Sequence, residues 1–318
     1  MQRNYGFDNI KCILIFCVVL GHLLELCSGF GVMYRMIYLF HMPVFMFITG
    51  YFAKPGWKSI ANKAWMYILF QVLYILFEGY VLRYNKTLDF CTPYWILWYM
   101  FVTVFYTALI PLYHAKTGKK RIVILSVAVV LSVAAGFVRE IGYTLSLSRF
   151  LVFQPYFLLG FYAREQKLPS VGKRTFVGLL IGAALSLGTA CLPFVTTGLL
   201  YGSINYRNPG ESLSRLMLIA VSCIWIGTFW GLKDRMKNKI PIVSAVGKHT
   251  LSVYLLHGFV ARLGAWKVLP MPQNILMVIM ITVVLCSGLG NPAMGTFVTH
   301  LSPLAWIKKE GTVKKQYH

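Results

Sequence analysis

The residues best placed for chemistry lie near the N-terminus: Lys11, His22, Glu25 and His41. Lys11 and His22 are eleven positions apart, so on one helix they stand about 16 Å apart along the axis. Glu25 is at i+3 from His22, on the same helix face. His41 follows in a second apolar stretch, Phe40-His41-Met42-Pro43, and Pro43 is tolerated near a helix start. A neutral imidazole is the natural base for a hydroxyl nucleophile and can also carry an acyl group covalently. A neighbouring carboxylate orients the ring and stabilises the imidazolium. Acyl transfer to an alcohol is one reading. A proton relay in a secondary transporter of sugars or lipid-linked intermediates is the other, and the residue chemistry alone leaves both open. His22, His41 and Glu25 would suffice in number for a metal, but no H-x-x-x-H or H-E-x-x-H pattern accompanies them, so no metal is expected.

The elements that hold these groups are set by composition. The 318 residues are 58% apolar and only 13% charged, with a mean hydropathy of +0.65. Soluble domains run at about 45–50% apolar and about 25% charged. A soluble Rossmann or barrel enzyme, a disordered chain and a disulfide scaffold are thereby excluded. The expected fold is an all-α polytopic membrane protein. Ten candidate spans are read at Ile10–Leu26, Met36–Ala53, Ala64–Leu82, Tyr94–Tyr113, Ile122–Val138, Phe150–Ala163, Thr175–Leu192, Leu213–Leu232, Thr250–Leu269 and Asn274–Thr299. Each approaches the ~20 residues that cross a ~30 Å hydrocarbon core, the sixth being short. They leave no room for an appended domain, so 1–318 reads as one membrane unit with a basic tail at 301–318.

Orientation follows from the basic residues. With the N-terminus inside, 22 of the 31 Lys and Arg fall on the cytoplasmic side, which puts both termini in the cytoplasm of a cell (plasma or inner) membrane protein. The net charge of +22 is then topogenic and directed at anionic lipid. No basic stripe with interleaved aromatics suggests nucleic acid. The N-terminal stretch lacks a signal-peptide cleavage site. The seven cysteines are odd in number, form no C-x-x-C, and read as small apolar residues. Homo-oligomerisation is left open.

An ionisable group inside a span costs about 2.5–3.5 kcal/mol, so each one needs a reason. Several converge on the depth of His22. Glu78 lies near the outer end of the third span and Arg149 near that of the sixth, while Trp98 and Tyr99 lie a turn into the fourth. Trp98 and Tyr99 fit an interfacial aromatic belt as well as a ligand contact, and Arg149 fits outward snorkelling. His257, with Tyr254 at i−3, fits either the site or an interhelical hydrogen bond.

The spacing Lys11-x10-His22 resembles the R/K-x10-H signature of the acyltransferase-3 family of integral-membrane acyltransferases, which includes fucose-4-O-acetylase-like and polysaccharide O-acetyltransferases. Asp8-Asn9-Ile10-Lys11 and Val18-Val19-Leu20-Gly21-His22 are similar to the surrounding family sequence. The run from Phe40 to Phe52 resembles its F-H-M-P stretch, Leu97-Trp98-Tyr99 its L-W-F segment, and Phe153 to Gly160 a block ending in aromatic-L-L-G. Gly247 to His257, with Ser252 and Tyr254, resembles its G-x-x-S-x-x-Y-L-L-H block. The resemblance implies a cytoplasmic acyl-CoA donor, usually acetyl-CoA, and an acceptor hydroxyl on a cell-envelope or secreted glycan or lipid-linked sugar. It makes His22 the essential catalytic residue, with His41 and Glu25 around it, and Lys11 a donor contact. One departure stands out. The family's R-x-x-R pair entering the third span is replaced by Lys58 and Lys63, and lysine lacks the bidentate fork of arginine.

Overall fold

The computed structural model describes residues 4–84, 87–166, 175–203, 205–265 and 274–303. The distal part of the basic tail, together with Lys86, Lys167, Lys173, Arg174 and Lys267, lies outside the described residues. Among the described residues the fold is all-helical. In chain order the helices are α1 (Gly6–Leu24), α2 (Gly31–Tyr38), α3 (His41–Phe52), α4 (Trp57–Tyr80), α5 (Trp98–Tyr113), α6 (Gly118–Ala134) and α7 (Leu147–Glu165). There follow α8 (Thr175–Cys191), α9 (Thr197–Tyr201), α10 (Glu211–Arg235), α11 (Pro241–Lys248), α12 (Thr250–Ala265), α13 (Ile275–Leu289) and α14 (Pro292–His300).

Every stretch expected to span is helical, but not every helix can cross alone. Six are long and apolar enough, counting α2 and α3 as one, and seven if the bent pair α13–α14 is one span. α7 is long enough but carries Arg149, Arg164 and Glu165, while α8 and α12 are described over 17 and 16 residues, each bordering residues outside the described ones. α13 and α14 meet at 59°, at a break where Asn291 caps Met294 and Pro292 starts the new helix. The second expected span also starts earlier, at Gly31, and is broken at Leu39–Phe40, so that His41 opens a fresh helix.

Helices α1, α3, α7 and α10 supply the inner packing, and α4, α6, α8 and α13 carry many exposed apolar side chains such as Leu76, Val127, Leu180 and Val284. Such a rim is what hydrocarbon solvates. The most extensive helix contact is α3 on α7. A Cβ at Gly50 would lie 2.0 Å from the Phe157 carbonyl oxygen, and one at Gly160 would lie 1.9 Å from that of Phe47. The two backbones therefore touch, as small residues allow where no hydrophobic force drives helices together.

Contacts group the connections onto two faces. On one, Asn9 donates to the carbonyls of Met236 (2.6 Å) and Asn238 (2.9 Å), and Arg164 donates to that of Ala53 (2.8 Å). On the other lie the end of α1, the segment 87–97, the segment 138–146 and α9. The segment 87–97 folds back along α4. Gln71 donates to the carbonyls of Asp89 (2.6 Å) and Thr92 (3.0 Å) and accepts from the Tyr94 amide (2.8 Å), so irregular backbone beside a buried helix keeps its partners.

Candidate active site

α1 carries the chemistry at its two ends. Its last turn presents His22 and its C-cap is Glu25. The His22 Nδ1 lies 3.7 Å from a Glu25 carboxylate oxygen and 3.2 Å from the Tyr38 hydroxyl. The other Glu25 oxygen accepts from the Tyr201 hydroxyl at 2.9 Å, and Tyr201 is hydrogen-bonded in turn to Tyr34. The His22 ring stacks on His257, with centroids 5.4 Å apart, and meets the edge of Trp95 at 4.7 Å.

The partner imidazoles have their tautomers set by backbone. His41 Nδ1–H donates to the Ile37 carbonyl (2.8 Å) and His257 Nδ1–H to that of Val253 (2.9 Å), which leaves each Nε2 as a lone pair. His257 Nε2 is buried without a hydrogen-bond partner. Trp95 is held at φ +30°, in the left-handed region, a conformation that costs a side-chain-bearing residue about 1–3 kcal/mol and persists only when its surroundings enforce it. Those surroundings include Arg262, which lies over the Trp95 ring at 5.9 Å and binds the wholly buried Glu78, with Nε 2.8 Å from the carboxylate. Tyr94 also donates to Glu78.

These groups surround a cavity of about 380 Å3 lined by His22, Glu25, Tyr38, His41, Trp95, Trp98, Tyr143, Arg149 and Tyr201, among others. Below it an apolar slot of about 180 Å3 runs between α1 (Ile15, Val18), α3 (Met42, Phe45), α5 (Tyr99) and α12 (Thr250, Leu251, Tyr254). Met42 belongs to both. Ile15 is one turn from Lys11 and Val18 one turn from His22, so the slot occupies the stretch between the two ends of α1. At the far end Lys11 pairs with Asp8 at 2.9 Å. Burial, and then the charges of Lys248 and Lys11, lower the His249 imidazole from its ordinary value, Asp8 opposing them. Lys11, Lys248 and Asp8 thus stand around His249 at that end.

The structure thus brings His22, Glu25, His41, Trp98 and Arg149 to one cavity and stacks His257 against its floor. Glu78 serves the ion pair with Arg262 and does not line the cavity. Tyr99 lines the slot and bonds Thr49. Lys58 is exposed beside Trp57, whereas Lys63 is turned inward to the Thr107 hydroxyl at 2.6 Å. Arg149 is buried beneath Trp98 and Tyr143, where outward snorkelling had been an alternative. Among the described residues no three His, Cys, Asp or Glu side chains gather as a metal would require. Sequence reasoning missed Tyr38, Trp95, Tyr143 and Tyr201. Tyr38 was legible as i−3 from His41; Trp95 and Tyr143 stand in connections and Tyr201 ends the five-residue α9, so no helical period points to them.

The acyltransferase domain family model of acyltransferase-3 matches residues 4–290. The chain belongs to the acyltransferase-3 family. It is 25% identical over 301 residues to nodulation protein NolL of Sinorhizobium fredii (strain NBRC 101917 / NGR234), covering 82% of this chain and 79% of that one. It is also 29% identical over 130 residues to nodulation protein NolL of Mesorhizobium japonicum, 32% of this chain and 34% of that one. No solved structure matches. Membership assigns acyl transfer at a membrane as the general activity.

Proposed function

We propose that this acyltransferase moves an acyl group, in the first instance acetyl, from cytoplasmic acyl-CoA to a hydroxyl of a cell-envelope or secreted glycan or lipid-linked sugar. The observation that carries the reading is the juxtaposition along α1: the Lys11–Asp8 pair with Lys248 nearby, an apolar slot, then His22 in a polar cavity with Glu25 and Tyr38 beside Nδ1. The anionic nucleotide of CoA suits the first, its extended pantetheine arm the second and a sugar hydroxyl the third. Ten crossings of the plasma or inner membrane with both termini cytoplasmic put the basic connections on the donor side.

In the proposed step Nδ1 of His22 keeps its proton, held toward Glu25, and Nε2 accepts the proton of the acceptor hydroxyl. The hydroxyl oxygen bonds to the thioester carbonyl carbon, the C–S bond breaks, and the departing CoA thiolate takes the proton from the imidazolium. Glu25 stabilises the imidazolium in between. Transient acylation of His22 would use the same geometry.

Calorimetric titration of acetyl-CoA into the purified protein in detergent tests the donor. Binding that weakens in Lys11→Ala, or in Lys58→Ala/Lys63→Ala, supports the reading and locates the nucleotide. Absence of binding of acetyl-CoA, CoA and succinyl-CoA contradicts it and makes a His/Glu proton relay in transport the reading to pursue.

A further inference from the structure

Arg149 is only 9% exposed, yet it lines the same cavity as His22. Two aromatic rings fix its guanidinium, Trp98 at 5.2 Å and Tyr143 at 5.0 Å. Among the described residues no acceptor takes a hydrogen bond from it, and its Nε is buried unpartnered. The other cation near this wall, Arg262, is met by Glu78. The carboxylate on the cavity wall, Glu25, is engaged by Tyr201 and His22. A buried, pre-oriented guanidinium with free donors is costly to maintain unless something supplies an oxyanion, and its planar fork matches phosphate and carboxylate bidentately.

We infer that the acceptor is anionic. It carries a phosphate or carboxylate that Arg149 grips while a sugar ring rests against Trp98 and Tyr143, leaving a hydroxyl free toward His22. The last clause rests on the acyltransferase reading; the anion subsite itself does not. The oxyanion has two chemical sources, the phosphate linking a sugar to a lipid or the carboxylate of an acidic sugar.

Calorimetric titration of the full-length protein in detergent with a hexose 1-phosphate, methyl glucuronide and neutral methyl glucoside separates these, with acetyl-CoA as a fourth titrant. One of the two anionic probes should bind about 10- to 100-fold more tightly than the neutral one, the gain typical of a charge-assisted pair, and the tighter of the two names the source. In Arg149→Gln that preference should vanish with acetyl-CoA binding unchanged, and Arg149→Lys should retain part of it. Equal affinities for all three sugars, no sugar binding while acetyl-CoA still binds, preference surviving in Arg149→Gln, or loss of acetyl-CoA binding in that variant would each overturn the subsite. Failure of acetyl-CoA alone to bind the wild type would strike the donor assignment and leave the anion subsite standing.

Discussion

His22 differs from the other histidines near it in having its Nδ1 faced by side chains, Tyr38 and Glu25, where His41 and His257 are locked onto backbone carbonyls. That makes it the imidazole whose ring a carboxylate can orient. Removing a positioned general base costs about 10²–10⁴-fold, so His22→Ala should lose transfer by that factor while inserting normally, read by acetyl transfer against protein level. Glu25→Gln should lower kcat by about 10- to 100-fold, the worth of one hydrogen bond to a charged group, with KM for acetyl-CoA little changed. His22, Glu25 and His41 were legible because ionisable groups at matched depth on neighbouring apolar stretches are conspicuous. Tyr201 was not, since its meeting with Glu25 joins positions 176 residues apart.

At the scale of elements, two arrangements hold the site in place. The first is the backbone contact of α3 with α7, which sets His41 beside Arg149. Gly160→Ala forces a methyl into the Phe47 carbonyl and should cost about 1–3 kcal/mol, as overpacking does, visible as a lowered melting temperature in detergent. The second is the Glu78–Arg262 pair under Trp95. Glu78→Gln removes the charge that faces Arg262 and should destabilise by about 3 kcal/mol, whereas Glu78→Leu with Arg262→Met should recover most of that loss, since a buried pair replaced on both sides is often neutral. Apolar periodicity placed the helices to within a few residues at most ends. The break at Leu39–Phe40 escaped because the apolar run continues through it, whereas Gly290-Asn291-Pro292 carries turn-forming residues that the apolar average of the whole stretch conceals. Arg262 carries no spacing signal toward Glu78, which stands 184 positions away in the chain.

For the whole molecule, the proposed topology gathers the lysines of the inner connections on one face, opposite the cavity. If that face is cytoplasmic, the exposed Cys91 on the cavity side should react with a membrane-impermeant maleimide in intact cells when it is the sole cysteine. A cysteine placed at Lys119 should react only after permeabilisation. The reverse pattern would invert the topology. Composition alone made the membrane legible. The cavity was not, because its walls come from α1, α2, α3, α5, α7, α9 and two connections, and only the packed bundle assembles them. The central claim is that His22 moves an acyl group from CoA to an acceptor hydroxyl. Its most direct test is transfer of radiolabelled acetyl from acetyl-CoA into the glycan and lipid-linked sugar fraction of membranes containing either the wild type or His22→Ala at equal levels. Label incorporated by the wild type and lost in the variant is the predicted result; equal incorporation by both would contradict it.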